Sequence, residues 1–127
     1  MATVLNGNVI TKDFDPKELT FTSVTSTTKT AEYTLDMTDC KGSADLIVDC
    51  AASSTDVTLT VCGGSYPAAM ADKAFTLTAG KCYIVGISSG ETMQSDGCVH
   101  FKISSTASLV TLSLKLAAVK DRYVTNH

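Results

Sequence analysis

Asp56-Val57-Thr58-Leu59-Thr60-Val61-Cys62 alternates apolar and hydroxyl-bearing side chains without interruption. That repeat is the mark of a strand with one buried and one wet face, so Val57, Leu59 and Val61 are assigned to an interior and Thr58 and Thr60 to the outside. The same alternation recurs on either side of this stretch. Upstream, Glu32 to Met37 places Tyr33, Leu35 and Met37 inward, and Ala44 to Ala51 does so for Leu46, Val48 and Cys50. Downstream, Val99 to Ile103 turns its apolar residues in and His100 and Lys102 out, while Leu109 to Leu116 is assigned Val110, Leu112, Leu114 and Leu116 on one face.

Three further segments complete the set. Leu19 to Val24 is expected to turn Leu19, Phe21 and Ser23 one way, and Lys73 to Thr78 resumes a strand after a small-residue loop. Cys82-Tyr83-Ile84-Val85-Gly86-Ile87 is apolar on both faces, as a central buried strand would be, with Gly86 marking a bulge. Turn residues separate these runs, including Ala79-Gly80-Lys81 and the short Ala52-Ser53-Ser54-Thr55 link, which is read as closing a hairpin. About eight strands with short connections and almost no helical period predict an all-β fold, an antiparallel β-sandwich with a jelly roll among the arrangements open to it. The predicted organisation is an extended N-terminal arm over 1–17, one sandwich domain over 18–118 and a tail over 119–127. Leu116 to Tyr123 has mild helix propensity and is assigned to a frayed end.

Composition narrows the partners. The 127 residues fit one core, 44% are hydrophobic and 18% charged, and the net charge is −3. Ten Lys and Arg stand singly, so there is no basic patch for nucleic acid. No run approaches the roughly 20 apolar residues of a membrane span, and Met1 to Asn8 lacks the basic start and apolar core of a secretion signal. A soluble protein made in a cytoplasm is expected. Five cysteines, at 40, 50, 62, 82 and 98, are an odd number at intervals of ten or more, which favours free, mostly buried thiols over disulfides or zinc.

No catalytic residue, metal ligand or cofactor site is assigned. Of two histidines, His127 is terminal and His100 points outward from a strand, and the cysteines sit in apolar settings that disfavour thiolates. The acid pairs Asp13/Asp15, Asp36/Asp39 and Asp45/Asp49 form no calcium loop and are assigned to turns and sheet edges. Gly63-Gly64 leads into no phosphate-binding helix. Recognition through surfaces is what these residues suit. The contact candidates are Phe14 in the arm, Tyr66 and Met70 in the loop from Gly63 to Asp72, and Met93 in the loop from Ser88 to Gly97.

One family pattern runs through the C-terminal half. Phe75-Thr76-Leu77-Thr78-Ala79-Gly80-Lys81, then Tyr83-Ile84-Val85-Gly86, then Ser95-Asp96-Gly97-Cys98-Val99-His100-Phe101 and a closing apolar stretch Leu109 to Leu116 follow in order. This succession resembles the head decoration or auxiliary capsid proteins of tailed bacteriophages. The resemblance implies a non-enzymatic virion protein, assembled in the host cytoplasm, that coats or joins a shell. Its partners would be the major capsid protein or another virion protein, and its own copies in a homo-oligomer, a trimer among the options. The competing expectation is a secreted or surface adhesion module that binds carbohydrate, for which a chain without Trp and with 6% aromatic residues offers few stacking platforms.

Overall fold

The computed structural model describes residues 3–5, 8–10, 16, 18–37, 43–63, 72–88 and 97–121. Among them ten strands form: β1 (Thr3–Val4), β2 (Asn8–Ile10), β3 (Thr22–Ser23), β4 (Thr30–Asp36), β5 (Ser43–Asp49), β6 (Val57–Val61), β7 (Lys73–Leu77), β8 (Cys82–Ser88), β9 (Cys98–Ser104) and β10 (Lys115–Asp121). A front sheet runs β1-β4-β9-β6-β7 and a back sheet runs β2-β10-β5-β8, with β3 also paired to β10. The expected all-β sandwich is what the chain forms.

The winding follows from which strands pair. β6 lies against β7, β5 against β8, β4 against β9 and β3 against β10, all antiparallel. These pairs are nested in sequence and fall alternately in the front and back sheets. A long hairpin rolled over itself has this connectivity, which is the jelly-roll arrangement. β1 and β2 are additions to it, joining β4 and β10 in parallel. Both of these short strands are thereby hydrogen-bonded into the sandwich.

Alternation fixes the core. Tyr33, Leu35 and Met37 of the β4 region, Val57, Leu59 and Val61 of β6, and Val99, Phe101 and Ile103 of β9 face Ala44, Leu46, Val48 and Cys50 across the sandwich. Burial of each such side chain contributes about 1.5–3 kcal/mol, enough for these three strands to define which face is inside. Tyr33 and Phe101, cross-strand partners, stack with ring centroids 5.5 Å apart at 15°.

Five expectations need correction. The link from β5 to β6 closes no hairpin, because β5 is in the back sheet and β6 in the front. Residues 50–56 turn the corner instead, held by Ser53 N–H to the Cys50 carbonyl (3.0 Å), the Ser53 hydroxyl to the Thr55 carbonyl (2.7 Å) and Ala51 N–H to the Asp49 carboxylate (2.9 Å). Leu19 and Phe21 are exposed, since β3 meets β10 over two residues only and it is Val24 that enters the core, its N–H bonded to the Leu114 carbonyl.

Leu109–Leu112 forms a 3-10 turn, not a strand. Leu109 and Leu112, three apart, face inward and Val110 is exposed, as that helix's period requires. Its N–H groups find carbonyls in the opposite segment, Leu109 to Thr28 and Val110 to Ser26, and Ser113 leaves it with φ 54°. Of the stretch expected to be a frayed end, the described part belongs to β10 (Lys115–Asp121), flanked by β5 on one side and by β2 and β3 on the other. Its Ala117 and Ala118 lower β propensity but are fully buried, where small side chains fit between closely packed elements. Finally, β8 is the outer strand of the back sheet, and its register with β5 is unbroken through Gly86, so there is no bulge.

Candidate interaction surface

The outward residues of the front sheet line up across strands. Thr30 of β4, Ser104 of β9, Thr58 of β6 and Thr76 of β7 share one row through the pairings Thr30↔Ser104, Thr58↔Ser104 and Thr58↔Thr76. With strands about 4.8 Å apart, the row presents four small hydroxyl side chains over about 14 Å. The next row is Glu32, Lys102, Thr60 and Ala74, in which the two charges are direct cross-strand partners. Beyond it Thr34 lies opposite His100, whose carbonyl accepts from Cys62 N–H. His100 is half-buried on this outer face, as the alternation predicted.

The hydroxyl row opens into a shallow depression of about 530 Å³ lined by Thr55, Asp56, Thr58, Ser104, Ser105 and Thr106. Its walls are tied down: the Asp56 carboxylate accepts from Ala79 N–H at 2.9 Å, and the Ser105 hydroxyl donates to the Asp56 carbonyl at 3.2 Å. A second groove, of about 560 Å³, lies along the side of the sandwich, where Thr3, Thr22, Ser26, Thr28 and Thr30 contribute hydroxyls and Glu32 a carboxylate. Ser26 and Thr28 bond to each other there at 2.8 Å. Both sites offer hydrogen-bond donors and acceptors with little net charge, which suits a polar protein surface or a sugar more than a phosphate chain.

The outer face of the back sheet differs in character. Ile84 of β8, Ile47 of β5 and Ala117 of β10 form an apolar row, bordered by Asp45 beside Gly86 and by Asp49 beside Cys82. Since β5 lies between two strands, these aspartates do not blunt an edge; Asp49 instead accepts from the corner at Ala51. Exposed apolar side chains stand on one outer strand of each sheet, Phe75 on β7 of the front (40% exposed) and Ile84 on β8 of the back (68%).

Phe14, Tyr66, Met70 and Met93 lie outside the described residues. Gly63 N–H donates to the Asp72 carboxylate at 2.7 Å. Among the described residues no group of three or more His, Cys, Asp or Glu is placed to hold a metal, and no helix is long and apolar enough to cross a membrane. Cys50, Cys62, Cys82 and Cys98 form no disulfide with one another. Burial, followed by the neighbouring Asp49 and Cys82, pushes the Cys50 thiol up to about 11, and burial followed by Asp49 raises Cys82. Both are kept away from the thiolate form a nucleophile needs.

The hydroxyl rows were invisible before the register was known. Thr58-x-Thr60 and Thr76-x-Thr78 announce outward hydroxyls, but only pairing brings Thr30 and Ser104 into the same line. No family model, curated protein or solved structure matches the chain.

Proposed function

We propose that the protein is a structural component of a bacteriophage particle, binding the outer surface of the shell by protein–protein contact, with the major capsid protein or another virion protein as its partner. The observation that carries this reading is the outer face of the front sheet. It is a broad face whose rows are mostly neutral and hydroxyl-rich, with Glu32 and Lys102 as an opposed pair in the row next to the four hydroxyls. Such a face hydrogen-bonds to a fixed surface without the strong field that would draw in nucleic acid. The succession of segments from Phe75 to Leu116, which resembles head decoration and auxiliary capsid proteins, supports the same assignment.

The contact is placed on this face and not on the N-terminal segment, because Thr3–Leu5 and Asn8–Ile10 are already engaged by the chain's own sheets. The test is binding to shells purified without the protein. Wild type is expected to co-sediment with them, and the double variant Thr58→Arg, Thr76→Arg, which alters two outward side chains, is expected to stay in the supernatant while melting as wild type does. Equal co-sedimentation of the variant would refute the assignment of the face, and the absence of the chain from purified particles would refute the virion reading. Reproducible hits on a glycan array would instead favour the adhesion module, for which the two hydroxyl-lined grooves are the natural sites.

A further inference from the structure

β8 has the composition of an interior strand and the position of an outer one. Cys82-Tyr83-Ile84-Val85-Gly86-Ile87-Ser88 contains no charge and no proline, and among the described residues it is the longest strand paired on one side only. The other boundaries are protected in the usual ways. β1, β2 and β3 are two or three residues long, and β7 begins with Lys73. A long uncharged edge with an isoleucine 68% exposed is a template for another strand. We infer that β8 pairs with β8 of a second copy of this chain, antiparallel about a two-fold axis through Ile84, so that the strand becomes central in a sheet continuous through both copies.

The backbone has the right parity. Cys50 N–H donates to the Lys81 carbonyl, continuing the β5–β8 register in which Asp49 faces Cys82. Hydrogen-bonded pairs alternate in an antiparallel ladder, so Lys81, Tyr83, Val85 and Ile87 bond toward β5, while Cys82, Ile84 and Gly86 turn their N–H and C=O groups to the open edge. A two-fold at Ile84 sets Ile84 against Ile84 and Cys82 against Gly86, closing about six new backbone hydrogen bonds.

The side chains agree on both faces. Outside, the row Ala117-Ile47-Ile84 of one copy meets its symmetry mate to give one apolar line across three strands from each copy. Inside, Tyr83 and Val85, partly buried against the core, come opposite Val85 and Tyr83 of the second copy. Asp49 of one copy and Asp45 of the other end up in the same row three strand spacings apart. At about 14 Å they are beyond the screening length of physiological salt and do not oppose the contact. The same patch of each copy supplies both halves of every contact, which is the requirement for an isologous interface. The result is a two-fold dimer, which differs from the trimer entertained from the resemblance, and it holds whether or not the chain belongs to a phage particle.

Sedimentation equilibrium of the full chain, from micromolar to millimolar concentration, tests this. Wild type is expected to follow a monomer–dimer equilibrium. Ile84→Lys, which brings two ammonium groups together at the axis, is expected to weaken dimerisation at least about tenfold without changing the melting temperature of the dilute protein. Ile84→Pro removes an N–H that faces away from β5 and is expected to do the same. In a Cys82→Ser background, Ile84→Cys is expected to form a reducible interchain disulfide under mild oxidation that Cys82→Ser alone does not. A wild-type chain that stays monomeric throughout, an oligomer indifferent to Ile84→Lys and Ile84→Pro, or failure of the Ile84→Cys cross-link would overturn the inference. None of these results touches shell binding by the front face, so the two proposals fail separately.

Discussion

Val4 and Leu5 are neighbours in sequence with opposite environments, and Leu5→Ala measures how much the N-terminal segment contributes to the fold. Leu5 is 2% exposed and belongs to the core, whereas Val4 is 62% exposed. Truncating a buried leucine costs about 2–5 kcal/mol, from lost transfer energy and the cavity left behind. β1 is a two-residue outer strand that relaxes easily, which places the expected loss at about 2–3 kcal/mol. Domains of this size are stable by about 5–15 kcal/mol, and each kcal/mol shifts the melting temperature by about 4 °C, so a drop of about 8–12 °C is expected. The backbone bond from Leu5 N–H to the Thr34 carbonyl (2.8 Å) survives the substitution, so the change isolates the side chain. Urea denaturation followed by far-ultraviolet circular dichroism is the assay, with Val4→Ala as the control, expected within about 0.5 kcal/mol of wild type. Leu5→Ala within that same margin would refute the claim that this segment is part of the core.

Two more predictions concern a turn and a thiol. Gly80 has φ 84° with open space where a Cβ would stand, so Gly80→Ala is expected to lose about 1–2 kcal/mol by backbone strain alone; a midpoint in urea equal to wild type would show that the turn adopts another conformation. The Cys50 thiol is pushed up to about 11 from an ordinary value of 9.0, so the folded state keeps its proton when the unfolded chain has lost it. Its contribution is complete below pH 9 and declines from there toward 11. Unfolding free energies measured across that window should fall more steeply for wild type than for Cys50→Ala, and parallel slopes would contradict the assignment.

Where alternation was strict, sequence and structure agree. Val57, Leu59 and Val61 are interior, as are Tyr33, Leu35 and Met37, because a strand packed on one side obliges every second residue to be apolar. What alternation does not encode is which strands are neighbours. The corner at residues 50–56 has the length and turn residues of a hairpin loop yet passes between sheets, and the difference is decided by pairing with β8 and β10 far along the chain. At Leu109–Leu112 four consecutive residues suit a strand by type, and the hydrogen bonds offered by Ser26 and Thr28 wind them into a turn. β10 was disguised by its two alanines, which say nothing local in favour of a strand and are buried by their surroundings. As for surfaces, the alternation at Thr58 and Thr60 announced outward hydroxyls. Their assembly with Thr30, Ser104 and Thr76 into one row depends on register, which no single segment carries.

The position of β10 has a consequence for synthesis. The strand runs through the back sheet and is paired with β2, β3 and β5, so those three have no common neighbour until residues from 115 onward have emerged. The back sheet is therefore not completed until β10 emerges, and its closure joins segments about ninety residues apart. A translation product broken off before that strand would keep its apolar faces open and be a substrate for proteases and chaperones. A chain that stops short of residue 115 therefore lacks the strand that unites β2, β3 and β5.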